Sequence, residues 1–279
     1  MRILLTLCLI AFAGNSIGYS QNNKPINDLS ILELKGRVKT FTETMYSIVD
    51  SLKDNIGKNP IFYTDTVSYN EKGYRIESRF FFLLFSIEKY TYKYDANGNK
   101  IEQTDYDTSG RSIGMHTYKY DEKGNKIEQI DYDTNGRSVW KYNYKYDDKE
   151  NLIEVIQYLY DNFFNRKTYK YDKKMNKIEE CNYFGDGSLI EKDIFKYDTK
   201  GNKIENRHYK SNGIMDKKYI YKYDEIGNKI EWTFYDQNGK LDKKYVYKYD
   251  YDKTGNWIKQ TVFLQNQLYQ VIVREIQYY

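Results

Sequence analysis

The chain has 279 residues, 33 of them tyrosine and only two proline, and its 44 lysines and arginines nearly balance 40 aspartates and glutamates. A net charge of +4, spread in alternating sign, offers no basic block for nucleic acid to hold and reads as a solvated mixed-charge surface. Cys8 falls inside the leading apolar run, so Cys181 is left with no intramolecular partner and stability must come from packing instead of disulfides.

Residues 1–20 have the layout of a secretory signal peptide: Arg2, an apolar run from Ile3 to Ala13, then small and polar residues to Ser20. The run is shorter than the roughly twenty residues that cross a bilayer, and no later stretch is apolar enough, so no transmembrane segment is expected. An exported protein, periplasmic, extracellular or at the cell surface, is the expectation. Residues 21–60 form a lead-in that contains both prolines, Pro25 and Pro60. Within it, Leu34 to Val49 alternates as a strand expected to cap the amino end of the domain beyond it.

Residues 61–279 read as one repeat domain. Tyr92-Lys93-Tyr94-Asp95 opens a unit of about 26 residues whose marker aspartates recur at Asp121, Asp147, Asp172, Asp198, Asp224 and Asp250. With a worn copy at Tyr69 to Gly73 there are about eight units. Each carries two turn signals, Asp-x-x-Gly-Asn as at Asp95 to Asn99 and a second as at Asp107 to Gly110, where aspartate bonds its own backbone and glycine accepts a positive φ. Between them lie segments rich in Tyr, Ile, Thr, Phe and Trp, suited to strands. Two turns per unit give two strands per unit. The expectation is therefore an all-β fold of tandem antiparallel hairpins, roughly sixteen strands in a long coiled meander sheet.

Alternation places Trp140, Tyr142, Tyr144 and Tyr146 on one face and Val139, Lys141, Asn143 and Lys145 on the other. A four-residue loop would set Tyr94 opposite Asn99, Tyr92 opposite Ile101 and Lys93 opposite Lys100, gathering Tyr and Ile on one side, facing inward, and Lys, Glu and Thr on the other. A three-residue loop with a bulge would pair Lys93 with Ile101 and mix the faces, so the first register is preferred. Trp257 to Leu264 and Leu268 to Tyr279 read as a closing hairpin.

The repeated Tyr-Lys-Tyr-Asp-x-x-Gly-Asn followed by an Ile-containing strand, from Tyr69 to Asp250, resembles the tyrosine-aspartate (YD) repeat of RHS-like bacterial surface and secreted proteins. The resemblance implies a spiral ribbon of hairpins and a role in carbohydrate binding, surface contact between cells or enclosure of a toxin. It places the Tyr-Asp pairs at Tyr94-Asp95, Tyr120-Asp121, Tyr146-Asp147, Tyr171-Asp172, Tyr197-Asp198, Tyr223-Asp224 and Tyr249-Asp250. The unit here is longer, Asn-Lys-Ile replaces the family's Arg-Leu after the glycine, and eight units are few for a large shell. Binding or scaffolding remain.

For a carbohydrate site the candidates are the stripe Trp140, Tyr142, Tyr144, Tyr146 and the cluster Tyr219, Tyr221, Tyr223, Trp232, whose rings could stack on sugars while nearby Asp, Asn and Lys meet the hydroxyls. The competing reading packs these rings together as one layer of the sheet. The acidic turns bring one carboxylate each, against the six to eight oxygens calcium takes, so no metal and no cofactor is expected. His116 and His208 occupy non-equivalent places, and Glu128, Glu179 and Glu205 are carboxylates the repeat prints in nearly every unit; no catalysis is expected. An outer-membrane barrel would need an aliphatic lipid-facing band, which this alternation lacks. The expected partners are a polysaccharide or surface glycan or, in the alternative reading, other envelope proteins met through the repeat face or free sheet edges.

Overall fold

A computed structural model of the protein describes residues 34–47, 63–82 and 85–279. The signal peptide, Pro25, Pro60 and most of the lead-in lie outside the described residues. The alternating segments form eighteen antiparallel strands and, among the described residues, no helix. The chain enters through β1 (Val38–Ser47), β2 (Tyr63–Tyr69), β3 (Arg75–Phe82) and β4 (Phe85–Tyr94). The regular units supply β5 (Lys100–Tyr106), β6 (Ser112–Tyr120), β7 (Lys126–Tyr132), β8 (Ser138–Tyr146), β9 (Leu152–Leu159), β10 (Asn162–Tyr171), β11 (Lys177–Phe184) and β12 (Leu189–Tyr197). They continue through β13 (Lys203–Lys210), β14 (Met215–Tyr223), β15 (Lys229–Tyr235) and β16 (Leu241–Tyr251), and β17 (Trp257–Leu264) and β18 (Gln267–Tyr278) end the sheet.

Each strand pairs with the next in the chain, and β18 then pairs with β1, Ile276 opposite Phe41 and Ile272 opposite Met45. The coiled meander sheet expected from the sequence thus closes on itself as a barrel. Two open edges would each leave a row of unpaired backbone groups, and a twisted sheet of this width satisfies both rows by meeting itself. Free sheet edges therefore cannot be the contact surface imagined from the sequence: β1 and β18 have consumed them. The lead strand β1 and the last strand β18 are full staves, which raises the count from sixteen to eighteen.

The turns differ from the preferred register. Asp95 N–H donates to Asn99 O at 2.9 Å and Gly98 N–H to Asp95 O at 3.1 Å, with Gly98 at φ 88°. This is a three-residue loop with a glycine bulge, and a second bulge follows at once. Tyr94 stands opposite Lys100, Lys93 opposite Glu102 and Tyr92 opposite Gln103, with Ile101 slipped out of the ladder. The same register recurs at Tyr120 and Lys126, Tyr197 and Lys203, and Tyr223 and Lys229. The expected pairings of Tyr92 with Ile101 and of Lys93 with Lys100 are therefore corrected. The double bulge sets Lys93 against a carboxylate instead of a like charge and turns Lys100 onto the tyrosine face.

At each bulge the next unit supplies a hydrogen-bond donor to a backbone carbonyl. The Tyr120 hydroxyl donates to Lys100 O at 2.7 Å, and Tyr146 to Lys126 O, Tyr197 to Lys177 O and Tyr223 to Lys203 O at 2.8 Å each. The tyrosine of each Tyr-Asp pair is thus a clamp between consecutive hairpins. At the closure, Phe41, Val67, Val38 and Tyr69 are almost fully buried with Leu34, and Met45, Tyr63 and Ile272 pack beside Phe80 and Trp257. Arg274 crosses this seam, 2.9 Å from Glu43 and stacked 3.2 Å over the Trp257 ring.

Candidate ligand-binding face

The two faces of the barrel wall differ in kind. On the first, repeat glutamates sit between cations of flanking strands: Glu128 lies 2.7 Å from Lys119 and 3.1 Å from Lys141, and Glu179 lies 2.7 Å from Lys170 and 2.6 Å from Lys192. Glu128 and Glu179, weighed from the sequence as acid–base candidates, are held ionised there: hydrogen bonds from Lys119 and Lys141 lower the first, and those from Lys170 and Lys192 lower the second against the opposing effect of burial. Glu205 belongs to the same ladder, with Lys196 at 3.2 Å.

The second face carries the aromatic rings. Lys100 lies over Tyr92 and Tyr118 at 5.4 and 4.7 Å, Lys126 over Tyr118 and Tyr144 at 5.5 and 4.4 Å, and Lys203 over Phe195 and Tyr221 at 5.3 and 5.4 Å. Lysine and ring alternate along this belt, each ammonium held between the negative faces of two rings. Burial, reinforced by the neighbouring Lys100 charge, pushes Lys126 down to about 8, and burial with Lys203 does the same to Lys229. Sequence reasoning missed these lysines as members of the aromatic face. The signal was present: a lysine follows the turn asparagine at positions 100, 126, 177, 203 and 229, a constancy that a merely solvated side chain does not need.

The predicted site residues divide by height on this face. Tyr146 and Tyr223 are clamps, their hydroxyls spent on Lys126 O and Lys203 O. Tyr144 and Tyr221 belong to the lysine belt, Tyr144 also bonding Gln129 Oε1 at 3.3 Å and Tyr221 lying 6.2 Å from Trp232 in a near-parallel stack. Trp140 and Tyr142 stand nearer the opposite rim, half-buried, with centroids 6.3 Å apart and planes 27° from parallel. Trp232 gathers Tyr219, Phe234 and Tyr245 at 6.3, 4.2 and 5.7 Å. The first group sits on β8 and the second on β14 and β15, and they form separate clusters.

The Trp140 cluster extends beyond its predicted members. Phe164 meets Trp140 edge-on at 5.1 Å; on β10 and β11, Phe163, packed on Tyr158, and Phe184 are about half exposed. Here the chain abandons the usual Asp-x-x-Gly turn for Tyr160-Asp161, both at positive φ, so that Tyr160 is 60% exposed. Polar side chains flank the rings: Asp131 pairs across from Trp140, and Gln129 and Gln157 from Tyr142. His116 bridges Asp131 Oδ1 at 2.7 Å and Asp105 Oδ2 at 3.0 Å, and those hydrogen bonds raise it to about 9, so it is cationic at neutral pH. His208 rests 3.3 Å from Asp193.

The turn aspartates spend their oxygens locally. Asp95 Oδ1 accepts from Asn99 N at 2.8 Å and Oδ2 from Asn99 Nδ2 at 2.9 Å. Among the described residues no three His, Cys, Asp or Glu side chains are grouped to hold a metal ion, and no helix is long and apolar enough to cross a membrane.

No protein-family model matches the sequence, and no curated protein matches it. Among solved structures the chain is similar to TcdB2-TccC3 and to a Photorhabdus luminescens Tc holotoxin pore, in each case at 15% identity and TM-score 0.37 over 82% of this chain. It spans 13% of the length of those chains. It is also similar to a porin-like protein from Bacteroides uniformis, at 11% identity and TM-score 0.46, covering 87% of this chain and 99% of that one. At these values the likeness fixes neither family nor ligand.

Proposed function

We propose that the chain is an exported envelope or cell-surface barrel of the YD-repeat kind that works by binding, without catalysis, and that its ligand is a polysaccharide or surface glycan. The observation that carries this is the Trp140–Tyr142 pair, two half-buried rings in near-parallel planes with Asp131, Gln129 and Gln157 beside them on the same face. Ring faces meet the apolar faces of sugars, and planar carboxylate and amide groups meet their hydroxyls. A position in hydrocarbon suits neither face. Lys141 and Glu128 stand at mid-strand on one, His116 and Asp131 on the other, and charges there are costly on the lipid side of a barrel.

A second reading, contact with another envelope protein, draws on the exposed Tyr160, Phe163, Phe164 and Phe184 at the ends of β9 to β11, because exposed aromatic surface suits interaction sites. One experiment separates the two. Residues 21–279 are screened against bacterial and host polysaccharides beside a Trp140→Ala, Tyr142→Ala variant of unchanged circular dichroism. Saturable binding that the variant loses supports glycan recognition at this pair; no binding to any glycan overturns it and leaves the protein-contact reading.

A further inference from the structure

Between the belt and the turns lies a feature that shares Tyr221 and Tyr223 with the second aromatic cluster and takes nothing from Trp140 or Tyr142. Between the turn at Asp198 and the turn at Asp224 lies an open recess of about 420 Å³, with Ile204, Tyr221 and Tyr223 along it and Asp198, Asn202, Asp224 and Glu225 beside Lys200 and Lys222 at its lip. One unit earlier the same recess recurs at about 360 Å³, with Ile178, Phe195, Tyr197, Asp172, Asn176 and Asp198. Asp198 is common to both, the far lip of one and the near lip of the next. The two are therefore consecutive and share an edge, displaced by two strands, which is about 10 Å at ordinary strand spacing.

The chemistry is the same in both. Apolar ring and isoleucine surface forms the wall, and the polar edge mixes carboxylate and amide groups with two lysines, Lys200 and Lys222 in one recess and Lys174 and Lys196 in the other, so that opposite charges nearly balance. Hydrogen bonds from Asn176 and Asn202 keep the Asp172 and Asp198 carboxyls below the ordinary aspartate range. Such a recess takes a group that is apolar on its faces and rich in hydroxyl donors at its edges, and two recesses sharing a lip take two such groups joined in a row. The two-strand step is about the length of two sugars in an extended β-linked chain.

Building on the glycan reading above, we propose that the repeat recesses at this rim are consecutive subsites for a linear, uncharged β-linked polysaccharide, two sugars to each recess, so that binding strengthens with chain length as successive subsites fill. Joining two weak sites on one chain makes the second contact intramolecular, and the gain appears as avidity.

The test is calorimetric titration of residues 21–279 with β-1,3- and β-1,4-linked glucose oligomers of two, four and six sugars. The expected result is that in at least one series the four-sugar chain binds at least about tenfold tighter than the two-sugar chain. Ile204→Trp, which fills one recess, and Ile204→Asp, which makes its wall polar, both remove that gain while the thermal melt stays within a few degrees of wild type. The proposal is overturned if affinity does not rise between two and four sugars in either series, or if a folded Ile204 variant keeps the rise. Length-independent binding abolished by the Trp140→Ala, Tyr142→Ala change would discard the recesses and leave the glycan function standing. Absence of any glycan binding discards both.

Discussion

Changing Tyr223 to Phe isolates the clamp between hairpins, because it deletes one oxygen and leaves the ring. The hydroxyl donates to Lys203 O at 2.8 Å, beside the register shift between β12 and β13. An acceptor left unpaired costs about 1–3 kcal/mol when it is shielded from water, and the Tyr223 site is partly buried, so about 1 kcal/mol is expected. For a chain of this size that is a fall of about 2–4 °C in melting temperature. Tyr197 and Tyr249 repeat the bond at 2.8 and 2.9 Å, and all three hydroxyls are pushed up to about 12 chiefly by burial. The triple Tyr197→Phe, Tyr223→Phe, Tyr249→Phe variant should therefore lose about 3 kcal/mol, near the sum, since the clamps lie in different units. Urea unfolding followed by far-ultraviolet circular dichroism measures both, with Tyr142→Phe, which takes no part in the clamps, as the control. A triple variant as stable as the control would show that water serves these carbonyls equally well, and the clamp argument would fall.

His116 should make stability pH-dependent. Its folded pKa, about 9, lies above the ordinary 6.5 because Asp105 and Asp131 bond the charged ring. The contribution, on the order of 2 kcal/mol, is complete below about pH 6.5 and is lost as the pH rises through 9. Unfolding free energies between pH 6 and 10 should slope downward for wild type and markedly less for His116→Gln; equal slopes would refute it. Gly98 and Gly110 both hold positive φ, but an added methyl at Gly98 would overlap the Tyr74 phenol and one at Gly110 meets open space. Both Ala variants should be destabilised by about 1–2 kcal/mol through backbone strain, and Gly98→Ala by at least about 1 kcal/mol more, read from denaturant midpoints. Glu43→Ala strands the mostly buried Arg274 at the seam and should cost about 3–5 kcal/mol, a melting-temperature loss that a mere surface pair would not produce.

The hairpins were legible because their signals are local: an aspartate that bonds its own loop and a glycine at positive φ can be read at Asp95 and Gly98 without knowing what lies beside them. The register was not, because Asn99, Lys100 and Ile101 suit more than one loop length. The decision rests on contacts that strand alternation does not encode, Lys100 reaching two rings and Tyr120 reaching the Lys100 carbonyl from the next unit. Closure was equally hidden, since β1 and β18 meet across most of the chain. Phe41 and Met45 at one end and Ile272 and Ile276 at the other were visible as apolar alternation, but nothing in either segment names its partner. The aromatic candidates were legible as a face and not as a site: Trp140 and Tyr142 were grouped with Tyr144 and Tyr146, whose atoms the belt and the clamps already use, and Phe164 was overlooked because it follows an irregular turn.

The seam between β1 and β18 changes what duplication of a unit would do. In a stacked array, another copy lengthens the molecule and leaves its cross-section alone. In a ring, another copy of about 26 residues adds two staves to the hoop, so the girth grows while the height, set by strand length, stays fixed. Gain or loss of a unit in such a gene would therefore resize the bore and the curvature of the rim in discrete steps, with the terminal strands still finding each other at the join.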